Sequence, residues 1–169
     1  MGWGLGTNLG YRPELLEGLA ARLKDIVCEH GSKVVVIGWS LGGLFARETA
    51  KRHSEFISLV LTLGSPFSGN RRNNNAWRIY EALNDHSVDN PPIDSDLAAK
   101  PPVHTLAVWS PRDGIVATGS AHGLVDESDE TFELDSTHLG MATRSGPIQA
   151  IIGLLVDKLA EQGQSRPAA

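Results

Sequence analysis

The segment Gly38-Trp39-Ser40-Leu41-Gly42 places a serine where its hydroxyl group could act as a nucleophile. It follows the apolar run Val34–Ile37, which is typical of a buried strand, and it precedes the helical stretch Leu44–His53. The two glycines permit a sharp turn that Cβ atoms would block, and such a turn exposes the serine Oγ. The pattern therefore predicts an accessible nucleophile, and the alternative is an ordinary glycine-rich turn that binds phosphate.

A serine hydroxyl needs a neighbouring base, and the base needs an acid that fixes its tautomer. Asp113 comes just after the predicted strand Val103–Trp109, and His138 comes just after the predicted strand Thr131–Leu134. Each residue alone has a simpler interpretation, because Asp113-Gly114 fits a plain turn and His138 fits a surface loop. Together with Ser40 they form a candidate set of nucleophile, acid and base.

Other side chains compete for these roles less well. Asp135 is the alternative acid, but it stands too close to His138 along the chain for the usual geometry. His104 falls inside a predicted strand, and His122 lies in a loop with no strand before it. These positions favour Asp113 and His138.

The elbow segment and the order serine, acid, histidine resemble the α/β-hydrolase family, which is mostly esterases and lipases. The segment Thr62–Gly69 also resembles the stretch that follows the next strand in lipases. The resemblance implies Ser40, Asp113 and His138 as catalytic residues and the Leu41 amide as an oxyanion-hole donor. Trp39 and Phe67 are the candidate substrate-binding residues, although in this family the residue before the serine is usually packed.

The elements that must position these residues alternate between strand and helix, which predicts a parallel sheet flanked by helices. One amphipathic helix begins at Pro13 and ends at Gly31, and a last helix begins at Pro147. Residues 1–169 are expected to form a single α/β-hydrolase-like domain. Residues 68–101, with the helix Ala76–Leu83, are a candidate lid or cap, and the alternative for that helix is an ordinary crossover.

A complete α/β-hydrolase has further strands before the first helix predicted here, so the resemblance implies a minimal or N-terminally truncated version of the fold. Gly2–Gly10 looks like the segment that follows those strands, and the loop with a second oxyanion donor would precede it. Without a neighbour on that side, Val34–Ile37 becomes an apolar sheet edge that can pair with another chain. We therefore expect a homodimer formed through this edge.

Composition narrows the class of protein further. Fifteen basic and 20 acidic residues give a net charge of −5, which argues against a nucleic-acid partner. No metal-ligand or cofactor motif is present, so neither a metal nor a cofactor is expected. The single cysteine, Cys28, is expected on the buried side of the first helix. No apolar run could span a membrane and no signal peptide is recognisable, which favours the cytoplasm for the chain as given.

The sequence thus predicts a serine esterase or lipase-like enzyme that acts on a small ester. Two alternatives stay open. One is a truncated or degenerate hydrolase that serves as a binding or assembly module, and the other is an acyltransferase or thioesterase with the same three residues.

Overall fold

The computed structural model describes residues 13–69 and 96–164. The glycine-rich N-terminal segment and most of the candidate lid, including the predicted helix Ala76–Leu83, lie outside these residues. Within the described part of the chain, no helix is long and apolar enough to cross a membrane.

Helices and strands alternate along most of the chain. Their bounds are α1 Pro13–His30, β1 Val34–Trp39, α2 Leu41–Arg52, β2 Ile57–Leu63, β3 His104–Trp109, α3 Thr118–His122, β4 Glu130–Glu133, α4 His138–Thr143 and α5 Ser145–Gln164. The four strands form one sheet in the order β1-β2-β3-β4, and every neighbouring pair is parallel. The predicted α/β class with a parallel sheet is confirmed.

Side chains of the central strands alternate between two apolar layers, because successive residues of a strand point to opposite faces. Leu61 and Leu106 are fully buried in the layer that also contains residues of α4 and α5. Val60 and Ala107 are fully buried in the opposite layer with residues of α1 and α2. Because both faces are covered, the strands read as continuous apolar runs rather than as alternating ones.

The first helix matches its predicted range but not the predicted environment of its cysteine. Leu16, Leu19 and Leu23 are buried against α2 and the sheet, whereas Cys28 is exposed. Cys28 lies five residues after Leu23, which is a rotation of about 140° around the helix axis. The expected buried position of Cys28 is therefore wrong, since this rotation turns the residue away from the apolar stripe.

Strand β1 forms one edge of the sheet. Among the described residues it pairs only with β2, and Ile37 keeps 50% of its surface exposed. An apolar edge of this kind is the feature from which a homodimer was expected.

We expect the protein to self-associate through β1 at micromolar concentration, which light scattering after gel filtration would measure. Ile37→Lys should give a monomer, because a charge on an edge strand opposes pairing with another chain. Val125→Lys is the matched control, because Val125 is 98% exposed in the loop before β4, at the opposite edge of the sheet. A monodisperse wild-type monomer would contradict the prediction.

A buried arginine connects α2 to three other segments. Arg47 is 1% exposed, and its guanidinium carbon lies 4.0 Å from the centre of the Phe67 ring. Its donors bond Leu97 O at 3.3 Å, Ala98 O at 2.9 Å, Ala99 O at 3.3 Å, Glu127 O at 2.8 Å and Ser128 Oγ at 3.4 Å. Burial lowers the pKa of Arg47 to about 10, so the guanidinium stays charged at neutral pH. These bonds offset the cost of burying the charge.

Arg47→Met should lower the free energy of unfolding by about 3 kcal/mol, because four partly buried carbonyl groups would lose a charged donor. Arg52→Met is the matched control in the same helix, since Arg52 is half-exposed and lies 3.7 Å from Glu48. Glu48 is buried but keeps its bond of 2.7 Å to Lys51 when Arg52 is replaced, so the loss of the longer, half-exposed contact should cost at most about 1 kcal/mol in urea unfolding. Equal losses in both variants would refute the structural role given to Arg47.

Candidate active site

Ser40 occupies a strained turn between β1 and α2. Its φ is 54° and its ψ is −125°, and among the described residues no other non-glycine residue has a positive φ. A side chain in this backbone region costs energy, so the surrounding structure must enforce the conformation. Residues held in this way cluster at functional sites, which agrees with the role predicted for Ser40.

Two glycines make room for this turn, but they are not the pair that the motif suggested. A Cβ at Gly38 would collide with the backbone of Gly42 and Gly43, so α2 can pass this close only because Gly38 has no side chain. A Cβ on Gly43 would collide with the side chain of Ser65, whereas one on Gly42 would meet no atom within 4 Å. Gly38 and Gly43 are therefore the glycines required by close packing.

Asp113 is buried in the loop that follows β3. Its Oδ1 accepts hydrogen bonds from the backbone N–H groups of Ile115 at 3.0 Å and Val116 at 2.6 Å. Its Oδ2 lies 2.7 Å from His138 Nδ1. Both carboxylate oxygens thus have partners, and the loop fixes the direction in which the second oxygen points.

His138 is the first residue of α4, and both its ring and its backbone N–H bond Asp113. The side chains of His138 and Asp113 are only 5% and 2% exposed, respectively. The backbone N–H of His138 donates to Asp113 O at 3.2 Å. An ionised carboxylate only accepts hydrogen bonds, so with Asp113 in that form the Nδ1–H group of His138 is the donor to Oδ2. In the neutral imidazole this leaves Nε2 as the acceptor, which is the state that a general base requires.

Two residues close to the turn at Ser40 lie against this pair: Gly64, which follows β2, and Trp39, which precedes Ser40. The N–H of Ser40 donates to Leu63 O at 2.8 Å, and Gly64 follows directly at φ 54°. A Cβ on Gly64 would lie 2.8 Å from Asp113 Oδ2 and 3.1 Å from His138 Nδ1. Trp39, the residue before Ser40, donates from Nε1 to His138 O at 3.1 Å. Asp113 and His138 are thus bonded directly to each other, and Gly64 and Trp39 connect this pair to the turn at Ser40.

The competing residues have other partners. Asp135 is exposed and lies 3.0 Å from Arg112. His104 lies 3.1 Å from Glu130, and His122 Nδ1 lies 2.7 Å from Gly123 O. None of these side chains bonds Asp113 or His138 in the described residues.

The remaining predicted site residues differ in placement. Leu41 is half-buried as the first residue of α2, so its N–H is at the helix N-terminus beside Ser40. Trp39 is half-buried, and its ring centre lies 5.2 Å from that of His138. Phe67 is 2% exposed and belongs to the core cluster beneath α1 and α2, under the Arg47 guanidinium. The expected substrate contact of Phe67 is therefore replaced by a packing role, because its ring is covered on the inside of the molecule.

Sequence reasoning missed two residues of the site. Ser110 Oγ donates to Ser136 O at 2.6 Å and accepts from Arg112 N at 3.0 Å, so it ties the loop of Asp113 to the loop of His138. Gly64 leaves room for the acid–base pair. Ser110 could have been noticed, because it directly follows a strand that leads to the acid, whereas nothing local distinguishes Gly64.

Comparison of the structure with solved structures identifies the fold. The monoacylglycerol lipase of Paleococcus ferrophilus aligns with a TM-score of 0.56 and 16% identity, over 88% of this chain and 77% of the lipase. An α/β-hydrolase from the sediment metagenome of the Mar Chica lagoon aligns with a TM-score of 0.61 and 19% identity, over 88% of this chain and 71% of that chain. The chain has the α/β-hydrolase fold.

Other enzymes share this α/β-hydrolase fold with the chain. The 2-hydroxy-6-oxo-6-phenylhexa-2,4-dienoate hydrolase of Rhodococcus sp. strain RHA1 aligns with a TM-score of 0.62 and 11% identity, over 92% of this chain and 74% of the enzyme. Identities this low establish the fold alone, and the reaction has to be argued from the site.

Sequence comparisons give a shorter match. No protein-family model matches the chain. Over 62 residues it is 36% identical to the biotin biosynthesis bifunctional protein BioHC of Teredinibacter turnerae, which is 37% of this chain and 10% of that protein. The matched part thus spans about a tenth of the length of this curated relative.

Gly64→Ala should separate Asp113 from His138, because the new methyl group would lie against both bonded atoms. We expect loss of the low-field proton resonance of the His138 Nδ1–H group in an NMR spectrum. Gly69→Ala is the matched control, because Gly69 also has a positive φ, 71°, but a Cβ there meets nothing within 4 Å.

Both alanine variants should lose about 1–2 kcal/mol of unfolding free energy from backbone strain. The resonance should survive only in Gly69→Ala. If Gly64→Ala kept it at the wild-type position, the steric role of Gly64 would be wrong.

Proposed function

We propose that the protein is a serine hydrolase that cleaves carboxylic esters through Ser40, His138 and Asp113. The observation that carries this proposal is the buried Asp113–His138 hydrogen bond of 2.7 Å, together with a serine in a strained strand-to-helix turn whose preceding residue, Trp39, bonds His138 O. A carboxylate that holds a neutral imidazole in one tautomer next to a serine is the arrangement that activates a hydroxyl group.

The first half of the reaction forms an acyl-enzyme. Ser40 Oγ attacks the ester carbonyl carbon while His138 Nε2 takes the hydroxyl proton. Asp113 stays ionised and stabilises the imidazolium through Oδ2. The tetrahedral intermediate then collapses, the bond to the leaving alcohol breaks, and His138 delivers its proton to that alcohol oxygen.

The second half releases the acid by the same proton transfers. A water molecule attacks the acyl carbon while His138 Nε2 accepts a proton from it. The tetrahedral intermediate breaks the bond to Ser40 Oγ, which recovers its proton from His138. The products are one carboxylic acid and one alcohol per ester and water consumed.

The amide of Leu41 is the proposed donor to the oxyanion. It directly follows the nucleophile at the N-terminus of α2, where backbone N–H groups lack partners within the helix. The helix dipole also favours negative charge at this end. A single donor of this kind typically contributes about 10²–10³ in turnover, so Leu41 would account for part of the rate enhancement.

Small esters are the proposed substrates. The residues beside Ser40 and His138 are apolar: Trp39 and Leu41 are half-buried, and Leu139 is 59% exposed. These side chains suit an uncharged acyl group better than a charged one.

Ser40→Ala should reduce hydrolysis of a chromogenic short-chain ester by about 10³-fold or more, because the nucleophile is removed. It should also abolish labelling by a fluorophosphonate probe, which reacts only with an activated serine. Ser145→Ala, at an exposed serine of α5, is the control that should keep both activities.

Each other outcome has a defined meaning. Full ester hydrolysis by Ser40→Ala would overturn the proposed nucleophile. A folded wild-type protein without labelling would favour the non-catalytic module. Faster turnover of thioesters, or of acyl transfer to an alcohol, would identify the other enzyme class.

A further inference from the structure

The indole of Trp39 binds the backbone of His138, the proposed base. Trp39 ends β1, and its Nε1–H donates to the backbone carbonyl of His138, 99 positions further along the chain, at 3.1 Å. The two rings lie 5.2 Å apart between centres, with a tilt of 36° between their planes. Trp39 therefore contacts His138 through both a hydrogen bond and its ring face.

This hydrogen bond adds a constraint that Asp113 does not supply. Asp113 binds the His138 ring at Nδ1 and the backbone N–H through its own carbonyl. Both of these contacts come from the same loop, so they would allow the loop of Asp113 and α4 to shift together. The bond from Trp39 connects His138 to β1 instead, and β1 leads directly into Ser40.

We infer that Trp39 is a positioning residue that fixes the distance between the proposed base and the nucleophile. This rests on the proposed function of Ser40 and His138. Because Trp39 and Ser40 are consecutive, a planar peptide separates the Cα atoms of the two residues by about 3.8 Å. The carbonyl of His138 is thereby attached to the residue next to the nucleophile.

Trp39 was also a candidate for substrate binding, and the two roles give different kinetics. A residue that positions the base affects the chemical step, so its loss lowers kcat and leaves KM nearly unchanged. A residue that only binds substrate raises KM and leaves kcat unchanged. The hydrogen bond to a protein carbonyl favours positioning, because a substrate contact would not require it.

The test uses Trp39→Phe, which keeps an aromatic ring and removes the N–H group. Trp109→Phe is the matched control, because Trp109 ends the neighbouring strand β3 and its ring also lies against a histidine, His122, at 5.3 Å. In the described part of the chain, however, the buried Nε1 of Trp109 has no hydrogen-bond partner. The two variants therefore lose the same atoms, but only one loses a hydrogen bond.

We expect Trp39→Phe to lower kcat on a short-chain p-nitrophenyl ester by roughly tenfold, the equivalent of one hydrogen bond, with little change in KM. The number of active sites is counted by fluorophosphonate labelling, so that unfolded protein does not affect kcat. Trp109→Phe should keep the wild-type kcat. A raised KM at constant kcat, or equal losses in both variants, would overturn the inference.

A second measurement needs no turnover. The low-field NMR resonance of the His138 Nδ1–H group should broaden or shift in Trp39→Phe and stay unchanged in Trp109→Phe. If the wild type neither hydrolysed esters nor reacted with the probe, the proposed function would fail, and this resonance alone would decide whether Trp39 positions His138. An identical resonance in all three proteins would refute the positioning role.

Discussion

The site depends on the close approach of α2 to the end of β1 at Gly38. Any side chain at Gly38 would collide with the backbone of Gly42 and Gly43, so the helix can begin directly after the strand only at a glycine. Only Ser40 separates the end of β1 from the start of α2, and it adopts the strained φ of 54° so that the chain can turn there. The hydrogen bond from Ser40 N to Leu63 O then attaches the turn to the neighbouring strand.

The parallel sheet explains why distant loops meet at this turn. The carboxyl ends of parallel strands lie at one edge, and β1, β3 and β4 lead there into Ser40, Asp113 and His138. Burying an acid and a base together is costly unless each polar atom finds a partner. Two backbone N–H groups and the imidazole are such partners for the Asp113 carboxylate, and the Ser110–Ser136 hydrogen bond joins the two loops. The site is rigid because the loops bind each other as well as the sheet.

The sequence predicted the parts of this arrangement that depend on local pattern and order. Apolar runs located the four strands, and the residues after them included Asp113 and His138, which the structure bonds to each other. It could not predict Gly64, since its importance comes from side chains more than forty positions away. Phe67 and Cys28 were misjudged for a related reason: whether a side chain faces the core or the solvent depends on rotations that a short motif does not specify. The motif points to Gly38 and Gly42 alone, because only the folded backbone shows that Gly43 lies against Ser65.

The contacts of Arg47 bear on how long the connection between Phe67 and Leu97 can be. Phe67 and the carbonyls of Leu97–Ala99 meet at the same guanidinium, so residues on the two sides of the segment 70–95 lie close together. Joining such residues through a longer connection is inexpensive, because each doubling of a flexible loop costs only about 0.6 kcal/mol. We therefore expect inserted peptide segments to be tolerated between Phe67 and Leu97, because the Arg47 guanidinium holds both ends.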